Sequence, residues 1–214
     1  MEETAGRTAV GRSLPIAREG FPFVVTPMAV GGLMLMAGFR RLGLAGILLG
    51  SACAYFFRDP DRRAPTGDGL LVAPADGRVM EVVTTPDGTR VSTFLSILDV
   101  HINRAPCAGK IRRIEYHPGR FLPAWKSAAS HENEQNRIEI ETPRGSVRVT
   151  QIAGVLAWRI VSWVRSGQEV AAGARIGLIR FGSRVDLEVP PDVRILVRVG
   201  AMLRAGETVV GEWQ

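Results

Sequence analysis

Lysine is almost missing from this chain. Of the 27 basic residues among 214, only Lys110 and Lys126 are lysines and the rest are arginines, which leaves little room for a pyridoxal Schiff base or a biotin or lipoyl attachment site. Cysteine is as scarce. Cys53 stands in an apolar run and Cys107 in a loop, so there is no disulfide framework and no metal-ligand spacing, and neither a metal site nor an oxidising compartment is expected. Histidine occurs only as His101, His117 and His131. What is present in bulk is apolar: 46% hydrophobic against 22% charged residues excludes a disordered or collagen-like chain and leaves one or two packed domains. The net charge of +6 suits anionic partners, and at this level phospholipid and nucleic acid fit equally.

The apolar residues are concentrated near the N-terminus. Pro22 to Phe39 is free of charge over 18 positions, Arg40-Arg41 follows, and Leu42 to Phe57 adds 16 more. Each run is at the short end of what spans a bilayer as a helix. No small-residue cleavage site leads into mature polar sequence, so the segment does not read as a signal peptide. Gly46 and Gly50 form a GxxxG spacing that lets helices approach closely. A membrane-associated helical hairpin is expected over a hairpin buried in a soluble core, because two such runs in succession exceed what a domain of this size hides. Phe56-Phe57-Arg58 then reads as the exit through the headgroup layer. The chain accordingly divides into an anchor, 1–57, a polar Pro-containing linker, 58–69, and a catalytic or carrier domain, 70–214.

Beyond the linker the pattern is short strands separated by turns. Leu70–Val72, Arg78–Val83, Arg90–Ile97, Asn136–Thr142 and Val147–Ile152 are the predicted strands, with reversals at Pro74-Ala75-Asp76-Gly77, Pro86-Asp87-Gly88 and Arg144-Gly145. A near-repeat links residues 164–177 and 197–210 through the pattern V-R-x-G-x-x-apolar-x-A-G-x-x-apolar. The fold class is therefore α+β and predominantly antiparallel β, with sandwich or barrel elements of the biotinyl-carrier type and an N-terminal hydrophobic helical hairpin. The same repeat supports a rival function, a non-enzymatic membrane-anchored carrier or adaptor module. A carrier displays a lysine on a hairpin between two such halves, and the span from Ile176 to Val197 has none.

That span contains Arg180-Phe181-Gly182-Ser183-Arg184-Val185-Asp186. Glycine tolerates a strained backbone, and the hydroxyl of the following serine can attack the preceding carbonyl and turn the amide into an ester. β-Elimination of such an ester cuts the chain and leaves dehydroalanine, which hydrolyses to a pyruvoyl group. An isolated Gly-Ser pair is usually an ordinary turn.

Here it stands in a longer constellation: Phe56-Phe57-Arg58-Asp59-Pro60, Ala73-Pro74-Ala75-Asp76-Gly77, Phe94-Leu95-Ser96, Asp99-Val100-His101-Ile102-Asn103-Arg104-Ala105-Pro106 and Asn133-Glu134-Gln135-Asn136, ahead of Gly182-Ser183. In this order the motifs resemble the phosphatidylserine decarboxylase proenzymes of the short, membrane-associated type, from about Phe56 to the C-terminus. The resemblance implies autocatalytic cleavage between Gly182 and Ser183, a pyruvate cofactor carried as a covalent pyruvoyl group made from Ser183, and a heterodimer of the large and small chains. It implies a phospholipid substrate and no nucleic-acid partner, and a place on the cell membrane, peripheral or hairpin-anchored on its cytoplasmic face; a higher oligomer stays open. Longer members have a second histidine where this chain has Arg104.

Four catalytic candidates follow. Ser183 is the nucleophile and the residue modified. His101 is assigned to protonating the substrate Cα, since imidazole titrates near working pH. Asp76 either caps its turn or, as the resemblance implies, orients or deprotonates the group that activates Ser183. Asp99, two residues before His101, is placed so that its carboxylate can fix the imidazole tautomer if the segment is extended. Arg104, Arg137 and His131 are the candidates for binding substrate. His117, in a turn signal, reads as structural.

Overall fold

The computed structural model describes residues 15–123, 128–155, 159–180 and 183–214. Two compact units are present, Met1–Asp61 and Arg62–Gln214. In the first, a 3-10 turn at Arg18–Gly20 leads into α1 (Phe21–Met36) and α2 (Arg40–Phe56). Gly38, at φ +88°, makes the reversal between them in a left-handed conformation that side chains oppose. Glycine also makes the seam: a Cβ added at Gly46 would lie 2.8 Å from the Gly31 Cα, and one at Gly50 would lie 2.4 Å from Met28 Cγ. Small residues thus line the packed side of the hairpin, while Leu33, Leu42, Leu44 and Leu48 stand exposed. Among the described residues one helix, Arg18–Met36, is long and apolar enough to cross a membrane.

The second unit is built of β1 (Leu70–Val72), β2 (Gly77–Thr85), β3 (Gly88–Leu95), β4 (Ile102–Arg104), β5 (Gly109–His117), the short helix α3 (Ala129–Glu132), β6 (Gln135–Thr142) and β7 (Gly145–Ala153). It continues through β8 (Arg159–Ser162), β9 (Glu169–Val170), β10 (Arg175–Arg180), β11 (Ser183–Val189), β12 (Val193–Ile195), β13 (Met202–Leu203) and β14 (Val209–Trp213). All pairings between these strands are antiparallel. An eight-stranded sheet runs β13-β2-β3-β11-β7-β6-β5-β9, and two three-stranded sheets run β1-β14-β12 and β4-β10-β8.

These orders describe a duplication. If β1, β2, β3, β11, β12, β13 and β14 are one half and β4 to β10 the other, the halves correspond strand for strand, and the large sheet has the same order from either end. Their registers correspond as well. Arg78 pairs with Phe94 ahead of a bulge between Val79 and Glu81, and Lys110 pairs with Glu141 ahead of a bulge between Ile111 and Arg113. Val72 N donates to the Pro106 carbonyl at 2.8 Å and Arg104 N to the Pro74 carbonyl at 2.9 Å, a reciprocal exchange between Ala73-Pro74-Ala75-Asp76-Gly77 and Ala105-Pro106-Cys107-Ala108-Gly109. The near-repeat of 164–177 and 197–210 is the other part of the same relation: Gly167 and Gly200 have φ +85° and +89°, and Gly173 and Gly206 have +76° and +75°. Only glycine holds these turns without strain.

One half interrupts the other. Thr142 and Gly145 close the hairpin between β6 and β7 around Pro143-Arg144, and the corresponding pair in the other half is Leu95 and Ser183. Residues 96–182 therefore enter where the first half would have a two-residue turn. Both crossings between the halves lie at the sheet edge where β11 begins. The predicted strand Arg90–Ile97 stops at Leu95, because Ser96 turns the chain there. Valine, leucine and isoleucine, among them Leu71, Val91, Ile138, Val149, Ile176 and Leu187, form the core of this unit.

Candidate active site

Ser183 is the first residue of β11 and is wholly buried. It pairs with Leu95 on one side and Ala153 on the other, so its side chain shares their face of the sheet with Val185 and Gln151, two positions along. Its Oγ has no hydrogen-bond partner among the described residues. An orphaned buried hydroxyl costs about 1–3 kcal/mol, and such a group needs a chemical or structural reason. Gly182 lies outside the described residues.

His101 is also wholly buried. Its Nδ1 is 3.0 Å from the Asp99 carbonyl oxygen, which only accepts, so in the neutral ring the proton sits on Nδ1 and Nε2 is the basic nitrogen. The expected contact between the Asp99 carboxylate and the ring is not formed. That carboxylate accepts from Ser96 N at 2.8 Å and Ser96 Oγ at 2.7 Å, and Asp99 N donates to the Ser96 carbonyl at 2.9 Å. The chain is turned rather than extended here, so the tautomer is set by the Asp99 backbone while its side chain folds the turn. His101 and Ser183 thus lie on the two crossings between the halves, joined through β10, whose Ile179 N donates to the His101 carbonyl at 3.3 Å.

A buried amide chain braces this region. Asn136 Nδ2 donates to Gln151 Oε1 at 2.8 Å, and Gln151 Nε2 donates to Asn103 Oδ1 at 2.7 Å. It ties β6 and β7 to β4, two residues beyond His101. Asn103 Nδ2 is buried without a partner among the described residues. Gly177 is required beside it, because a Cβ there would lie 2.4 Å from the Val161 carbonyl oxygen and 2.9 Å from Gln151 Nε2. Asn133 holds the neighbouring loop through donation to the Leu122 and Ala153 carbonyls at 2.8 and 2.7 Å. Asn103 lies in a motif singled out by sequence, but nothing in the sequence distinguishes Gln151 from any polar strand residue.

Asp76 lies at the same sheet edge, since the adjacent Gly77 packs on Phe94 and Leu95. Its carboxylate pairs with Arg62 through both oxygens, one at 2.7 Å from Nη2, and accepts from Ala205 N at 2.8 Å. Arg62, expected in the linker, is therefore fixed in the β unit. Arg104 is buried, and its Nη1 donates to the Gly173 carbonyl at 2.9 Å; on β4 its side alternates with that of Asn103. It fastens one of the repeated glycine turns. Arg137 pairs with Thr150, which pairs with Asp186; this register puts it on the sheet face opposite Ser183, where it bonds Gln135. His131 is exposed in α3, and His117 is exposed at the end of β5. The structure thus brings Ser183, His101, Asp99 and Asp76 to one edge, with Arg137 on the opposite face of the sheet and His131 exposed on α3.

The sequence model of the family described as phosphatidylserine decarboxylase matches residues 49–211. The chain belongs to the phosphatidylserine decarboxylase family. It is 46% identical over 215 residues to the phosphatidylserine decarboxylase proenzyme of Xanthobacter autotrophicus, covering 95% of this chain and 91% of that one. To the phosphatidylserine decarboxylase proenzyme of Azorhizobium caulinodans it is 43% identical over 218 residues, covering 96% and 93%. As a phosphatidylserine decarboxylase family member the chain is an enzyme, and the carrier alternative falls. The biotinyl-type repeat is architecture.

Proposed function

We propose that this protein decarboxylates phosphatidylserine to phosphatidylethanolamine after cutting itself between Gly182 and Ser183. The observation that carries the reading is the buried Ser183 Oγ, without a hydrogen-bond partner among the described residues, at the crossing of the two halves, together with family membership. In the cut, Ser183 Oγ adds to the Gly182 carbonyl, the peptide C–N bond breaks and the nitrogen of residue 183 takes the proton, giving an ester. Loss of the Ser183 Cα proton and cleavage of the Cβ–O bond release the Gly182 carboxylate. Water then replaces the nitrogen of the dehydroalanine as ammonia and leaves a pyruvoyl group. This removes the buried hydroxyl altogether, so the residue present suits the group it becomes.

Once formed, the pyruvoyl group supplies an electron sink for the loss of carbon dioxide. The residues around it do the rest. His101, with Nε2 as its basic nitrogen, is suited to exchange a proton, and we assign it to the substrate Cα. Asp99 positions that ring through its carbonyl. Asp76, locked by Arg62 and Ala205 N, positions the sheet edge beside Leu95 and Ser183. We further propose that the α1–α2 hairpin anchors the protein at the cell membrane on the cytoplasmic face, because its exposed surface is apolar. The large and small chains stay together as a heterodimer, since β11 lies between β3 and β7 and β14 between β1 and β12. Incubation of the purified protein with phosphatidylserine should release carbon dioxide and yield phosphatidylethanolamine; an unchanged lipid pool with fully cut protein would reject the substrate assignment.

A further inference from the structure

The duplication supplies an internal control for the two edges of the large sheet. At the edge opposite Ser183, the connections are short and polar: Pro86-Asp87 between β2 and β3, Pro143-Arg144 between β6 and β7, and Pro190 to Asp192 between β11 and β12. Their counterparts at the Ser183 edge are long, and they present apolar side chains. Ile97 and Leu98 are 56% and 64% exposed after β3, Phe121 is 43% exposed after β5, and Val155 is 51% exposed after β7. No exposed large apolar residue occurs in the three short turns. We infer that the Ser183 edge of the sheet docks on the surface of a phospholipid bilayer, with the Ile97-Leu98 tip entering the leaflet beside His101.

The tip is built for this. Ser96 and Asp99 close it through both backbone and side chains, and Leu98 N donates to Ser96 Oγ at 3.3 Å, so the two apolar side chains are presented by a pre-formed turn. Ordering them on contact carries little further entropic cost. The connection after β5 is held too, since Leu122 N donates to Asn133 Oδ1 at 2.9 Å. Exposed Arg159 opens β8 just beyond the Val155 connection and suits an anionic leaflet, while Arg120, its side chain 75% exposed beside Phe121, pairs with Glu132 at 3.2 Å. Basic residues flanking apolar ones are the pattern of an interfacial contact. The Asp99 residue that folds the tip also holds His101 Nδ1, so the apolar contact and the proton-transfer group move as one piece. The inference rests on the proposed lipid substrate for its purpose, and its test is separable from that reading.

In the full-length protein, an environment-sensitive fluorophore at Leu98→Cys, in a Cys53→Ala background, should shift to the blue on vesicles of phosphatidylcholine and phosphatidylserine. Lipids carrying a nitroxide on the acyl chain should quench it. The same fluorophore at Asp87→Cys, on the opposite edge, should remain in water. Equal responses at the two positions, or a response at Asp87 alone, would overturn the inference. An Ile97→Ser/Leu98→Ser variant should keep self-cleavage and its rate on dispersed short-chain lipid within about twofold, while its rate on vesicles falls by roughly tenfold or more, from the half-exposed apolar area removed. Equal losses on both substrates would also count against it. Absence of decarboxylation by the parent protein on either substrate rejects the lipid reading and leaves the quenching result to decide the docking face.

Discussion

Gln151 offers the sharpest test of how the site is held. It is wholly buried and has both ends occupied, accepting from Asn136 Nδ2 and donating to Asn103 Oδ1. Gln151→Ala leaves one donor and one acceptor without partners in a region where Asn103 Nδ2 already has none among the described residues. Each newly orphaned group costs about 1–3 kcal/mol, so the loss should be about 2–6 kcal/mol, a large share of the roughly 5–15 kcal/mol of a typical domain. For a unit of this size that is a fall of about 5–20 °C in melting temperature. Calorimetry and urea unfolding measure it, and formation of the small chain can be followed on the same samples. Because Asn103 is two residues from His101, processing or turnover should suffer beyond what stability alone explains. A double-mutant cycle with Asn136→Ala should return a coupling energy of about 0.5–3 kcal/mol. A Gln151→Ala protein within a degree or two of the parent, with normal processing, would show that the amide chain neither braces the sheets nor positions β4.

Other perturbations separate the remaining roles. Asp76→Asn should accumulate uncut proenzyme, visible on a denaturing gel, and Arg62→Ala should do the same because it deprives Asp76 of its partner. His101→Ala should lose on the order of a hundred- to ten-thousand-fold in carbon dioxide release, the usual contribution of a proton-transfer residue, while still forming some small chain. If His101→Ala blocks cleavage and Asp76→Asn does not, the two assignments are reversed. Arg184 and Asp186, both buried, pair through Nε at 2.6 Å and Nη2 at 3.0 Å; Arg184→Ala should destabilise by about 3–5 kcal/mol by leaving the carboxylate buried alone, as thermal melting would reveal. Burial raises the Cys107 thiol to about 12, so near pH 9 it should resist alkylation in the native protein and react on unfolding. As the unfolded thiol ionises near pH 8.5, this site favours the folded state below that pH and loses its contribution as pH rises toward the folded value.

Much of this architecture was legible in the sequence because it depends on local chemistry. The charge-free runs mark α1 and α2, the Gly46/Gly50 spacing marks their seam, and alternation with turn residues marks β2, β6 and β7. The repeat of 164–177 and 197–210 was readable since glycines at positive φ have few substitutes. Its partner repeat, Ala73–Gly77 with Ala105–Gly109, is shorter, and the interruption at Leu95 is visible only in strand pairing, which joins residues far apart in sequence. The same limit applies to the site. Ser183, His101 and Asp76 stand in distinctive motifs and do converge on one edge. Arg104 and Arg137 are candidates by proximity in sequence alone; strand register places Arg137 on the face opposite Ser183, and Arg104 bonds the Gly173 carbonyl. For Asp99 the sequence points to the carboxylate, but a turn instead of a strand directs that group to Ser96 and leaves the backbone carbonyl beside His101 Nδ1. Gln151 and Arg62 act through partners that no local pattern announces.

The central claim concerns the bond before Ser183, and mass spectrometry of the purified protein addresses it directly. Two chains are expected, with the small one comprising residues 183–214, 32 residues long, lacking a free amine and having the mass of a pyruvoyl group in place of serine. Ser183→Ala should give one uncut chain without activity. An active parent protein that remains a single chain, or a Ser183→Ala chain cut at the same place, would contradict the account.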